Sequence, residues 1–148
     1  MENEMDTKIK EIINFVYGET FSEAHLNVLL ENIEKAASVI TEKRKTGWDE
    51  KDVVLITYAD QFSAKGEKAL PVFTRFYNRW LSHSFSHVHL LPFYPWSSDD
   101  GFSVIDYHEV APETGTWRDV AELKKSASLM FDFVCNHMSA KSKWFANY

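Results

Sequence analysis

The sequence predicts an α/β fold with a parallel sheet, preceded by a pair of helices. Two observations predict it. Three apolar runs of strand length, the first of them rich in β-branched residues, begin near positions 53, 87 and 129, and segments with helical periodicity separate them. Strands that alternate with helices in this way form βαβ units, and βαβ units pair their strands in parallel.

The first 50 residues are predicted to form two amphipathic helices, a helical collar on the domain that follows. The first helix has apolar residues at helical spacing: Ile9, Ile12, Ile13 and Val16. Gly18 stands where this helix would end. The second helix has its apolar face over residues 26–40, and Thr20 with Glu23 provides a capping box at its start. The cationic segment 43–47, which finishes with a glycine, is predicted to close it.

The strands are predicted over residues 53–58, 87–91 and 129–135. The first is continuously apolar, which is typical of a strand buried on both faces. Pro92 ends the second strand, because proline has no N–H to donate to a ladder. Cys135, the last residue of the third strand, is predicted to be a buried small apolar residue.

Two helices are predicted between these strands. Pro71 opens the first of them. Its buried side consists of Val72, Phe73, Phe76, Tyr77 and Trp80. The second covers residues 117–126, with Thr116 as its N-cap and Asp119 in its first turn.

Two architectures fit this order, an open doubly wound sheet and the beginning of a (β/α)₈ barrel. Residues 58–61 (YADQ) stand where a dinucleotide-binding fold needs its glycine fingerprint. The unusual residues instead occupy the loops after the strands, which is where a barrel carries its site. The barrel is therefore favoured for residues 51–148. Because a complete barrel takes about 250 residues, we expect only its first three βα units, and hence a fragment of a longer protein.

Composition limits the classes of function. The net charge of −6 argues against a nucleic-acid partner, since phosphates require a basic surface. A single cysteine fits a reducing compartment. No apolar stretch reaches the roughly 18 residues of a membrane span, and the first ten residues have no signal-peptide core. We therefore expect a cytoplasmic protein with no membrane partner.

Two loops carry residues that could bind a ligand. The loop over residues 92–107 contains adjacent carboxylates and an aromatic ring, Asp99, Asp100 and Phe102. Carboxylates accept hydrogen bonds from neighbouring sugar hydroxyls, and a ring face covers the apolar face of a pyranose. The alternative for the aspartates is an exposed turn.

The third strand adds further candidates, Asp132, Asn136 and His137. Asp132 is a charge within an apolar strand, which is costly unless it is paired. Asn136 and His137 fall at the carboxyl end of that strand. The histidines at 83, 87 and 89 have no ligand-spaced partners, so a metal site is not predicted. Ser103 and Ser139 lack the context of a hydrolase nucleophile.

The segment 132–137 (DFVCNH) resembles the first signature region of glycoside hydrolase family 13, the α-amylase superfamily. Together with the segments 55–60 (LITYAD), 90–93 (LLPF) and 99–102 (DDGF), it resembles the sucrose phosphorylase subfamily. The collar and the longer pieces around these motifs are most similar to the glucosylglycerate phosphorylase branch.

The resemblance implies a retaining double displacement that transfers glucose to inorganic phosphate, with no cofactor and no metal. It implies that Asp99 binds the far hydroxyls of glucose, that Phe102 lies beneath its ring, and that His137 contacts its 6-hydroxyl. Asp132 and Asn136 match supporting positions. The nucleophile and the acid follow later strands, so no catalytic residue is expected here and this chain alone should be inactive.

The partners implied are an α-glucoside and phosphate. Glucosylglycerate is the expected donor, and sucrose or its 6-phosphate is the alternative. A different class, a non-catalytic carbohydrate-binding remnant of a truncated gene, also stays open, and so does the oligomeric state.

Overall fold

The structure is a computed structural model that describes residues 4–39 and 47–148. It divides into two compact units, one within residues 1–46 and the other over residues 47–148. None of the described helices is both long enough and apolar enough to span a membrane.

The amino-terminal unit contains α1 (Glu4–Tyr17) and α2 (Glu23–Val39). Gly18 ends α1 as predicted, with a φ of 54°, a left-handed conformation that glycine adopts without steric cost. The predicted apolar face of α1 is only partly correct, because Ile13 is its one buried member while Ile12 and Val16 are exposed. Ile40 and the cationic residues at 43–45 lie outside the described residues.

The start of α2 differs from the prediction. Ser22, rather than Thr20, immediately precedes the helix, and its Oγ accepts a hydrogen bond from the N–H of His25 at 3.4 Å. The N–H of Ser22 donates in return to His25 Nδ1 at 3.4 Å. Thr20 lies in a 3₁₀ turn and donates its hydroxyl to the Tyr17 carbonyl. The Thr20–Glu23 capping box is therefore wrong, and a histidine performs the reciprocal role usually taken by Glu or Gln.

The second unit contains a parallel sheet whose strands follow one another in the order β1-β2-β3. Its elements in chain order are β1 (Val54–Thr57), α3 (Ala69–Phe76), a π-helical turn (Tyr77–Leu81), β2 (His87–Leu90), α4 (Trp117–Lys124), β3 (Ser128–Phe131) and α5 (Lys143–Ala146). Both predicted βαβ units are present. The sequential strand order is that of a barrel, and the first three strands of a doubly wound sheet share it.

One face of the sheet is covered by helices and the other is open. Val88 and Leu90 are buried in one core with Phe73 of α3 and Leu123 of α4, so both helices lie on the same side. On the opposite face Ile56 is 62% exposed, which corrects the prediction that β1 is buried on both faces. Three strands cannot curl into a closed barrel, and the described residues therefore leave the barrel-interior side uncovered.

Further differences lie at the ends of elements. α3 begins at Ala69, so Pro71 stands within its first turn rather than opening it, where its missing N–H still costs nothing. Trp80 is 60% exposed, because the π-helical turn shifts the helical phase before it reaches that residue. Thr116 caps α4 as predicted and accepts a hydrogen bond from the N–H of Asp119.

β3 ends at Phe131, four residues before its predicted end. Along β2 and its ends, the backbone groups of successive residues point in turn to β3 and to β1. The carbonyl of Ser86 accepts a hydrogen bond from the N–H of Ser128 of β3, whereas the N–H of Leu91 donates to the carbonyl of Thr57 of β1. The next group of β2 that would face β3 is the nitrogen of Pro92, which has no hydrogen. The ladder stops there, and Cys135 is exposed instead of buried.

Candidate functional site

The loop after β2 folds into a small hairpin that holds two of the predicted sugar-binding residues. Trp96 and Val104 pair antiparallel at its base, and the N–H of Ile105 donates to the Pro95 carbonyl at 2.7 Å. Asp99 and Phe102 lie in the turn at its tip, where the N–H of Phe102 donates to the Asp99 carbonyl at 2.9 Å. The local hydrogen bonds therefore fix the backbone that presents both side chains.

The tip of this hairpin has an unusual backbone. Asp99 and Asp100 have φ values of 61° and 46°, a region that aspartate visits more readily than most residues. Gly101 follows with a φ of 102°, and a Cβ at this glycine would lie 2.9 Å from the Pro92 carbonyl oxygen. The tip is thus packed against the end of β2, and only glycine fits at that contact.

Buried hydroxyl and carbonyl groups join the β2 hairpin to the loop after β3. Ser139 is 1% exposed, and its Oγ lies 2.7 Å from Ser97 Oγ. Its N–H donates to the Val104 carbonyl at 2.9 Å. The Tyr107 hydroxyl donates to the Val134 carbonyl at 3.0 Å. These bonds hold the loop that contains His137 against the hairpin that contains Asp99.

Ser139 is a structural residue that sequence reasoning considered only as a possible nucleophile. Its partner Ser97 is 42 residues away in the chain, so no local pattern marks the pair. Its Oγ also accepts from the N–H of Lys141, which shapes the turn that leads into α5. This hydroxyl is buried and has partners for both its hydrogen and its lone pairs, as expected of a group that links two loops rather than of a reactive group. We call the Ser97–Ser139 contact the joint between the loops.

We expect Ser97→Ala to loosen this joint. Removing one buried hydrogen bond costs about 1 kcal/mol, so the Ser139 amide should exchange its hydrogen about five- to tenfold faster. Amide hydrogen exchange, followed over residues 134–142, measures this. Ser126→Ala, at an exposed serine just past α4, is the matched control and should leave the rate unchanged. Equal exchange in the two variants would contradict the assignment of the joint.

His137 and Asn136 lie exposed in the loop after β3. Asn136 Nδ2 lies 2.9 Å from His137 Nδ1. An amide nitrogen can only donate, so Nδ1 accepts and the ring hydrogen is carried by Nε2. This arrangement leaves Nε2–H to donate outward, which suits a contact with a hydroxyl.

Asp132 lies just past the end of β3 and is partly buried. Its Oδ2 is 3.0 Å from His89 Nε2, on the neighbouring strand. The prediction that this charge requires a partner is met by His89, which the sequence analysis had considered only as a metal ligand. Among the described residues, no hydrogen bond joins Asp99 or Phe102 to His137.

The electrostatics of the loops support a structural role for Asp106. The backbone N–H of His108, 2.8 Å from Asp106 Oδ1, is the main reason that the pKa of this carboxyl is lowered, and the His108 ring adds to it. Burial raises the pKa values of Tyr94 and Tyr107, and the charge of Asp132 raises both further.

A cleft of about 310 Å³ lies between the loops after β1 and β2. It is lined by Tyr58, Ala59, Asp60, Pro92, Phe93, Trp96, Asp100, Glu113 and Thr114. None of the predicted glucose-binding residues is among these, although Asp100, the neighbour of Asp99, lines the cleft. Within the part of the chain that the structure describes, no three His, Cys, Asp or Glu side chains are grouped as metal ligands.

Comparisons with known proteins agree with the motifs. The family model for the α-amylase catalytic domain matches residues 83–148. The glucosylglycerate phosphorylase of Escherichia coli K12 is 60% identical over 97% of this chain and 26% of its own length. The sucrose phosphorylase of Streptococcus mutans is 42% identical over 64% of this chain and 19% of its own length.

A solved structure agrees with the fold. The crystal structure of sucrose 6F-phosphate phosphorylase from Thermoanaerobacter thermosaccharolyticum matches 68% of this chain and 20% of that one, with 33% identity and a TM-score of 0.60. The chain spans about a quarter of the length of the glucosylglycerate phosphorylases that it matches. The predicted resemblance is confirmed, and the chain belongs to the α-amylase family, glycoside hydrolase family 13.

Proposed function

We propose that this chain forms part of a retaining phosphorylase that converts 2-O-α-glucosylglycerate and inorganic phosphate to α-glucose 1-phosphate and glycerate. The observation that carries the proposal is the extent of similarity. Identity of 60% with a glucosylglycerate phosphorylase extends over nearly the whole chain, including the amino-terminal helices. Phosphate is then a co-substrate, and we propose no cofactor and no metal.

Within this function, the two joined loops would form one wall of the glucose site. Asp99 would accept hydrogen bonds from the far hydroxyls of glucose, and Phe102 would lie under the ring. His137 would donate from Nε2 to the 6-hydroxyl. Asp132 and Asn136 would support this wall, Asn136 by holding the His137 ring in the required tautomer.

The bond-breaking groups would come from later strands. Retention requires two carboxyls about 5–5.5 Å apart, one as nucleophile and one as acid. Asp99 and Asp100 are adjacent in a turn and would not flank a glycosidic bond in that way. The 148 residues alone are therefore expected to be inactive, and a cytoplasmic location remains a prediction.

Sucrose or sucrose 6-phosphate is the alternative donor, since phosphorylases of both are among the relatives. The second candidate function is carbohydrate binding without catalysis, which would use the same three side chains, Asp99, Phe102 and His137. The proposed function and these two alternatives predict different results in the following assay.

The test uses a chimera in which these residues replace the aligned segment of the E. coli glucosylglycerate phosphorylase. Phosphate-dependent release of glucose 1-phosphate is measured with glucosylglycerate, sucrose and sucrose 6-phosphate. We expect activity with glucosylglycerate and little with the other two. A folded chimera that releases no glucose 1-phosphate from any donor would refute the proposed function. A preference for sucrose would support sucrose as the donor in place of glucosylglycerate.

A further inference from the structure

His89 and Asp132 form a pair across two strands on the open face of the sheet. His89 stands opposite Met130 in the β2–β3 register. Because side chains alternate between faces, Asp132 continues the row of Met130 on the same face as His89. The two side chains are 21% and 24% exposed, and His89 Nε2 lies 3.0 Å from Asp132 Oδ2.

The hydrogen bond in this pair has a defined direction. A carboxylate has no hydrogen to donate, so Nε2–H of His89 is the donor. The side chain of Asp132 is only 24% exposed, and an unpaired carboxylate at such a position would be costly. The hydrogen bond from His89 therefore both compensates the carboxylate and fixes its orientation.

Asp132 also sits where its position affects the predicted site. It is the first residue after β3, and the next four residues lead to Asn136 and then His137. Phe133 is 76% exposed, so packing restrains this segment little on that side. Two hydrogen bonds restrain the start of this loop. One joins the Asp132 carboxylate to His89 of β2, and the other joins the Tyr107 hydroxyl to the Val134 carbonyl.

We infer that His89 is a positioning residue, which holds Asp132 and through it the loop that presents His137. The inference rests on the proposed function, because its effect is measured on that reaction. His87, two residues earlier on the same face of β2, provides a contrast. Its ring contacts Trp48, with centroids 5.1 Å apart, and lies 2.8 Å from Ser86 Oγ.

The test compares His89→Gln, His89→Asn and His89→Phe in the chimera. The glutamine amide reaches the position of Nε2 and can still donate to Asp132, whereas the shorter asparagine amide cannot and phenylalanine has no donor. We expect His89→Gln to keep kcat and KM within about twofold, and the other two to lose about tenfold in kcat, as a small misplacement of a reacting-site group does. His87→Gln is the matched control and should be unchanged.

A double-mutant cycle makes the test specific. If His89 acts through Asp132, His89→Phe should add little loss to Asp132→Asn. Equal kcat in the glutamine and asparagine variants, or losses that multiply in the cycle, would overturn the inference while the active parent chimera upholds the proposed function. An inactive but folded parent chimera would overturn both. Should His89→Phe fail to fold, the glutamine and asparagine pair decides.

Discussion

His137→Ala is expected to lower kcat/KM of the chimera for glucosylglycerate about a hundredfold, the effect of losing one donor to a transition state. Asn136 holds Nδ1 of the ring, so Nε2–H points outward as a preorganised donor. Alanine removes that donor and leaves the loop backbone intact. The loss should lie mainly in kcat, because the contact is proposed to strengthen in the transition state.

The matched control for this change is His83→Ala, at an exposed histidine that precedes β2, whereas the candidate site lies on loops that follow the strands. It should leave both kcat and KM unchanged. A His137→Ala chimera with kcat/KM within about threefold of the parent would remove His137 from the proposed glucose site.

Gly101→Ala is expected to destabilise the tip of the β2 hairpin by about 3 kcal/mol, from backbone strain together with steric overlap. A φ of 102° is unfavourable for alanine, and its Cβ would lie 2.9 Å from the Pro92 carbonyl oxygen. Both atoms belong to backbone-anchored groups, so neither can move without displacing the hairpin. The Phe102 amide should therefore exchange its hydrogen much faster.

Gly66→Ala separates strain from overlap. Gly66 also has a positive φ, 81°, but nothing lies within 4 Å of its Cβ position. We expect about 1 kcal/mol for this change, measured at the Glu67 amide, since only the conformational cost applies. Similar losses at the two glycines would contradict the close packing of the hairpin tip against Pro92.

The order of elements could be predicted because each buried strand is a continuous apolar run and each helix has a clear period. Their ends could not, since they depend on distant groups. β3 stops where Pro92 of the neighbouring strand lacks an N–H, and the phase of Trp80 changes in a π-helical turn. At the start of α2, His25 performs a role for which the usual pattern names only Glu or Gln.

The candidate site likewise has residues that the sequence predicts and residues that only the fold reveals. The resemblance marks Asp99, Phe102 and His137, because these lie in short contiguous motifs. The groups that hold them are paired between distant parts of the chain. Ser97 pairs with Ser139 and His89 with Asp132, and these partners can be recognised only once the strands are paired. Local sequence therefore identifies the residues proposed to touch the sugar, and the fold identifies those that position them.

A crystal structure of the chimera with bound glucose tests the central claim most directly, which is that this chain provides one wall of the glucose site. We predict Asp99 within hydrogen-bonding distance of the sugar hydroxyls, Phe102 against the ring, and His137 Nε2 donating to the 6-hydroxyl. Glucose bound in the barrel with none of these three side chains in contact would contradict the account.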